Sequence, residues 1–247
     1  MSNPHHMTSI TQNAVANATI SVKGDENTFD NVDNFASAEN MIASDTGGKH
    51  GSGAATWTDN GEGGAAAWQN ADAEATIVVV GDKNQFHDVS NLANADNEAV
   101  FVFDKGDNGW QDLLAQNAFA DASIIVAGDK NKFHDVTNIA SGNNHVAFLG
   151  DTGAEQRHEL TQDAIAHANI VVEGDKNHFN DVTNIASATN DASIGHGNSH
   201  SQPHESTPID LEQFADANAV IYVIGDKNQF HDVINHASAS NDADLSF

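Results

Sequence analysis

The sequence contains no cysteine. That excludes a disulfide framework and any metal site built on thiolates. Cationic side chains are nearly as scarce: 9 Lys and Arg stand against 36 Asp and Glu, a formal net charge of −27. Nucleic-acid phosphates need cationic partners, so a nucleic acid is excluded as a ligand. Charge attraction to an anionic membrane surface is excluded on the same ground. No stretch approaches the roughly 20 apolar residues of a membrane-crossing helix, so no membrane insertion is expected. The first residues, 1–11, carry neither the basic start nor the apolar run of a cleaved secretory leader.

What is present is one pattern written five times. It reads Gln-x-Ala-x-Ala-x-Ala-x-Ile-x-Val-x-Gly-Asp-x-Asn-x-Phe-x-x-Val-x-Asn-x-Ala-x-x-x-Asn. The copies start at Gln12, Gln69, Gln116, Gln162 and Gln213. A long period with a fixed internal code specifies a repeat architecture in which neighbours complete one another's core. The copies span most of the 247 residues, so a single elongated domain is expected. Its units are 10–40, 67–97, 114–144, 160–190 and 211–241, with loops at 41–66, 98–113, 145–159 and 191–210.

The first half of each unit alternates. In the fourth copy the shared residues are Gln162, Ala164, Ala166, Ala168, Ile170 and Val172, and the residues between them vary from copy to copy. Period two with one specified face is a strand. The small and apolar face points inward, and Ile10, Ala67, Leu114, Leu160 and Leu211 begin it. The run is long for one strand, so the alanine-rich part is expected to bend round a corner. A helical alternative fails on the β-branched Ile-x-Val and on the turn that follows.

Gly-Asp-x-Asn then makes a turn, because these residues tolerate positive φ and bond locally to the backbone. Inward positions resume at Asn27 and Phe29, slip by one residue, and continue through Val32, Asn34, Ala36, Ala38 and Asn40. The slip predicts a bulge. The expected fold is therefore all-β: a β-solenoid, or cross-β-like stack, of five strand–turn–strand units. Stacking sets Gln12, Gln69, Gln116, Gln162 and Gln213 in one ladder. It sets Asn27, Asn84, Asn131, Asn177 and Asn228 in a second, and Phe29, Phe86, Phe133, Phe179 and Phe230 in a third. Such ladders add amide hydrogen bonds and ring contacts to the backbone ladder. The apolar runs Val100 to Phe103 and Val146 to Leu149 are candidates for a third strand per coil. The glycine-rich stretch with Trp57, and the stretch with His196, His200, Pro203 and His204, read as surface loops.

Stacking also aligns carboxylates. Asp25, Asp82, Asp129, Asp175 and Asp226 occupy the turn, and Asp88, Asp135, Asp181 and Asp232 sit at the slip. Like charges one coil apart repel, so compensation is required. Lys83, Lys130, Lys176 and Lys227 lie in the same turns, and the plain reading is a turn-capping Asp with Lys beside it. Calcium, which takes several carboxylate and carbonyl oxygens, is the alternative cofactor. His87, His134 and His231 point outward and read as solvated residues. No catalytic arrangement stands out once the repeat symmetry is removed, so no enzyme is expected.

The segment Val-x-Gly-x-x-Asn, followed by alternating apolar residues and then Asn, resembles the curlin repeat. Gly81 and Asn84 match its turn, and Asn91 and Asn97 fall near its later polar ladder positions. Val79 stands where a curlin has Gln, and the units here are longer. The resemblance implies a secreted subunit of an amyloid-like biofilm-matrix fibre. The acidic, cysteine-free composition and the tail Asp242-Ala243-Asp244-Leu245-Ser246-Phe247 resemble type I secretion substrates, which implies export to the cell surface through a secretion apparatus. The expected partner is the chain itself, in an end-to-end homopolymer, since the first and last units lie close to the two ends of the sequence. The alternative is a monomeric, calcium-stabilised adhesin or surface-layer module. A flat ice- or polysaccharide-binding array ranks below both, because the outward residues vary too much.

Overall fold

The structure, a computed structural model, describes residues 8–45, 65–103, 111–150, 157–196 and 209–246. The loop residues Trp57, His200, Pro203 and His204 lie outside the described residues. Each unit supplies two strands. They are β1 (Thr8–Lys23) and β2 (Thr28–Asp45), β3 (Ala65–Val80) and β4 (Gln85–Phe103), β5 (Gln111–Ala127) and β6 (Lys132–Gly150), β7 (Arg157–Glu173) and β8 (His178–His196), and β9 (Ile209–Ile224) and β10 (Gln229–Ser246). Odd strands form one sheet in the order β1-β3-β5-β7-β9, and even strands form a second in the order β2-β4-β6-β8-β10. Every neighbouring pair is parallel, and residues at the same repeat position face each other, as in Gln12↔Gln69 and Phe29↔Phe86. The fold is the all-β, β-solenoid-like stack that the repeat specifies.

The facing sheets enclose three bands of core. Nearest the turns lies a band of Ile, Val and Phe, including Ile77, Val79, Phe86 and Val89. The middle band is built of alanine, such as Ala71, Ala73 and Ala75 against Ala93 and Ala95, with Gly142 at one alanine place. Furthest from the turns lie Leu114, Leu160, Val146 and Phe148 with their equivalents. Alanine lets the sheets close on each other. An added Cβ on Gly142 would fall 2.7 Å from the Ile165 carbonyl oxygen across the core. Buried methyl groups offer little apolar area, so this band contributes less hydrophobic stabilisation per residue than the bands beside it. Buried amides supplement it. Asn91 Nδ2 crosses to the Ala75 carbonyl at 2.9 Å, and Asn138 Nδ2 reaches that of Ala122 at 2.9 Å.

The expected bulge is present in every even strand. Asn31, Asp88, Asp135, Asp181 and Asp232 all have φ between 50° and 56°. The pairing skips them, running from His134↔Asn180 directly to Val136↔Val182. Asn and Asp enter the left-handed region at lower cost than other non-glycine residues. One such residue keeps both Phe133 and Val136 inward although they are three apart. Since all five strands carry the kink, the ladder continues through it.

Several sequence expectations need correction. The alanine-rich segments do not turn a corner: β1, β3, β5, β7 and β9 run unbroken for 16 or 17 residues. Val100 to Phe103 and Val146 to Leu149 form no third strand; they extend β4 and β6. The units therefore reach past Asn40 and its equivalents, and the loops begin later than positions 41, 98, 145 and 191. Inward alternation continues there through Ile42, Ala99, Val146 and Ala192. Asp242 to Ser246 pair with Asp191 to Gly195, so the last strand runs through them.

Candidate functional site: the ladders and the two edges of the stack

The turn fixes the register. Gly24, Gly81, Gly128, Gly174 and Gly225 have φ between 120° and 140°, which side chains rarely adopt. Stacking adds a second requirement for glycine. An added Cβ on Gly81 would lie 2.1 Å from the Gly24 carbonyl oxygen, and one on Gly128 would lie 2.1 Å from that of Gly81. The Cβ of each row thus points at the backbone of the row before it. Glu26, Lys83, Lys130, Lys176 and Lys227 follow at φ near 60°. Four of these strained residues donate their N–H to the Asp carbonyl of the next row, such as Lys83 N to Asp129 O at 2.9 Å. Local strain of roughly 1–3 kcal/mol persists where surrounding structure over-determines it.

The stacked Asp carboxylates are compensated by backbone. Asp25 Oδ1 accepts the Asp82 N–H at 2.8 Å, Asp82 Oδ1 that of Asp129 at 2.8 Å, Asp129 Oδ1 that of Asp175 at 2.7 Å and Asp175 Oδ1 that of Asp226 at 2.6 Å. Lys83 pairs with Glu26 at 2.5 Å, and Lys130, Lys176 and Lys227 make no ion pair among the described residues. Glu26 accepts a hydrogen bond from Lys83 and adds its negative charge, which holds the ammonium above the ordinary lysine range. Asp88, Asp135, Asp181 and Asp232 occupy the kink, exposed. Among the described residues no group of three or more His, Asp and Glu is placed to hold a metal ion. Asp25, Asp82, Asp129 and Asp175 each spend one oxygen on the next row's amide. On the outer face His87 and His134 stack at 5.1 Å.

The inward ladders are continuous and each has a direction. Gln69 Nε2 donates to Gln12 Oε1 at 3.0 Å, and the series repeats through Gln116, Gln162 and Gln213, each donating to the row before. Asn34 runs the other way: Asn34 Nδ2 donates to Asn91 Oδ1 at 2.8 Å, and so on through Asn138 and Asn184 to Asn235. Asn40, Asn97, Asn144, Asn190 and Asn241 do the same. In the turn the N–H groups of Asn27, Asn84, Asn131 and Asn177 donate to the Oδ1 atoms of Asn84, Asn131, Asn177 and Asn228. The rings of Phe29, Phe86, Phe133, Phe179 and Phe230 stack at 4.7 to 5.0 Å.

The functional feature that sequence reading did not reach is what these directions leave at the ends. Among the described residues the outer edges of β1 and β2, and of β9 and β10, pair with nothing. At the β1/β2 edge Gln12 Nε2 bonds, among the described residues, only to the Met41 carbonyl, which leaves one amide hydrogen for a further partner. At the β9/β10 edge Gln213 Oε1 has no donor among the described residues, while Asn235 Nδ2 and Asn241 Nδ2 donate only back to the carbonyls of Ala219 and Gln213. The apolar residues of that edge are open as well: Val233 is 40% exposed where Val182 is 0%.

The chain matches no family model, no curated protein and no solved structure.

Proposed function

We propose that the chain is a structural subunit that polymerises end to end into an extracellular filament. The observation that carries this reading is the pair of open edges on an in-register parallel stack. Unpaired strand edges template the addition of another chain. Addition would bury Val233, 40% exposed here where its mid-stack equivalent Val182 is sealed. Ladders of amides and rings at each added row are the features that make cross-β assemblies persistent.

Placement outside the cell rests on the acidic, cysteine-free composition and on the curlin-like turn Gly-x-x-Asn. A net charge of −27 opposes addition of like subunits, so growth should accelerate with ionic strength as screening shortens the repulsion.

The test is negative-stain electron microscopy of purified protein, with calcium and with chelator in parallel. Uniform filaments in both conditions are expected. Discrete rods in both, with no growth on concentration, would move the chain to a monomeric binding module. Filaments confined to the calcium arm would give the Asp columns a metal role.

A further inference from the structure

Resting on that reading, we infer that assembly is polar. The β9/β10 edge of one copy takes the β1/β2 edge of the next, in parallel and in register, as though a sixth row followed the fifth. The direction of each ladder decides this. Within the chain, Gln of a later row donates to Gln of the earlier one, as Gln213 Nε2 does to Gln162 Oε1 at 2.8 Å. The open acceptor is then Gln213 Oε1 and the open donor is Gln12 Nε2, at opposite ends of the molecule. Both Asn ladders run the other way, so Asn235 and Asn241 offer donors at the β10 edge, and Asn34 and Asn40 offer Oδ1 acceptors at the β2 edge.

The turn obeys the same rule twice more. Asp226 Oδ1 is the open acceptor and Asp25 N–H the open donor of the Asp series. Asn228 N–H is the open donor and Asn27 Oδ1 the open acceptor of the Asn series. Five independent side-chain ladders thus end in a donor at one edge and its acceptor at the other.

Head-to-head pairing satisfies none of them. A two-fold axis between two copies of one edge either pairs their strands antiparallel or turns the inward face outward, so no ladder position meets its own equivalent in register. Amides left unpaired in a closing interface are costly. Continuation by one row satisfies all five and extends the Phe stack from Phe230 to Phe29 of the next copy.

The absence of native cysteine gives a clean test. Asn13, Asn70, Asn117, Asp163 and Phe214 form one outward column, with Asn13 and Phe214 exposed at its two ends. Polar continuation places Phe214 of one copy beside Asn13 of the next. Asn13→Cys and Phe214→Cys proteins are assembled separately and as a mixture, then oxidised and run on a denaturing gel. The expected result is disulfide-linked heterodimer in the mixture, with at least a tenfold excess over homodimer in either single sample. The doubly substituted chain should give a ladder of covalent multimers. Asn13→Cys homodimers at the heterodimer level would overturn the polarity while leaving the filament reading intact. Filaments by microscopy with no crosslink above background in any sample would do the same. No filaments at all would sink the underlying reading.

A second variant reads the same interface without oxidation. A Cβ on Gly24 meets no atom of the earlier-row kind; its nearest neighbour is Asn27 Nδ2 at 3.5 Å. By the repeat rule it would strike the Gly225 carbonyl of the preceding copy. Gly24→Ala protein, retaining its strand signal by circular dichroism, should cap one end of preformed seeds at substoichiometric ratio and leave the other end growing. Growth at both ends, or arrest at both, would contradict polar assembly.

Discussion

The middle rows and the end rows of this stack carry the same code and meet different fates. Phe86, Phe133 and Phe179 are fully buried, whereas Phe29 and Phe230 are only partly so. Val136 and Val182 are sealed, and Val233 is open. At these positions the residue type is the same in every row; what changes is whether a neighbour lies on both sides. Burial in this fold is a property of the row's neighbours, as in one-dimensional repeat proteins whose stability is a sum of unit and interface terms. An end row is therefore a middle row awaiting its second interface.

The comparison is sharpest at the turn glycines. Gly128→Ala forces a non-glycine residue to φ of 140° and drives its Cβ to 2.1 Å from the Gly81 carbonyl. Backbone strain of roughly 1–3 kcal/mol adds to a comparable overpacking cost. Gly24→Ala carries the strain alone. Chemical denaturation before assembly should show the Gly128 variant losing about twice as much stability as the Gly24 variant. Equal losses would mean that the stacked carbonyl is not the constraint.

Truncation of the ring stack comes next. Phe133→Ala should cost about 3–5 kcal/mol, the range for emptying a buried aromatic site. Phe230→Ala, with one ring neighbour rather than two, should cost less than half of that in the unassembled chain. Thermal melts of the two variants side by side decide it, and a filament should bring the two costs together.

The amide ladder gives a smaller difference. Asn138→Ala removes the Nδ2 that donates to Asn184 Oδ1 and leaves that buried acceptor unpaired, while Asn91 Nδ2 keeps the Ala75 and Ser123 carbonyls. An unpaired buried acceptor costs about 1–3 kcal/mol. Asn235→Ala leaves Asn184 Nδ2 bonded to the Ala168 and Val220 carbonyls. Denaturant midpoints should fall further for Asn138→Ala, and the two should converge if water replaces the missing amides.

The smallest effect belongs to the surface. Lys83 and Glu26 are both largely exposed, so Lys83→Met should leave the midpoint within error at moderate salt. Because the folded ammonium is held above its ordinary 10.5, the pair's contribution is fully present below that pH and is lost only as pH rises through the higher folded value. A titration from neutral to mildly alkaline pH should therefore leave the pair's effect unchanged.

Most of the architecture was legible from period two and from the turn. Inward Gln, Ala, Ile and Val could be assigned because they recur while their neighbours vary. The slip before Val32 and Val89 announced the left-handed Asn31 and Asp88, since Asn and Asp are favoured there. Reading stopped too early at Asn40 and its equivalents because the residues beyond differ: Ile42, Ala99, Val146 and Ala192 share a face but not an identity. The donor direction of each ladder was not legible at all. An amide is donor and acceptor at once, and only a three-dimensional stack fixes which way it points.

Hydrogen exchange resolved by segment, on the unassembled chain and on filaments, tests whether the open edges are the joints of the filament. Fast exchange is expected at the outer-edge amides of β1, β2, β9 and β10 before assembly. After assembly those amides should be as protected as the amides of β5 and β6. Filaments in which these edges still exchange fast, while the outward faces of the sheets gain protection, would contradict it.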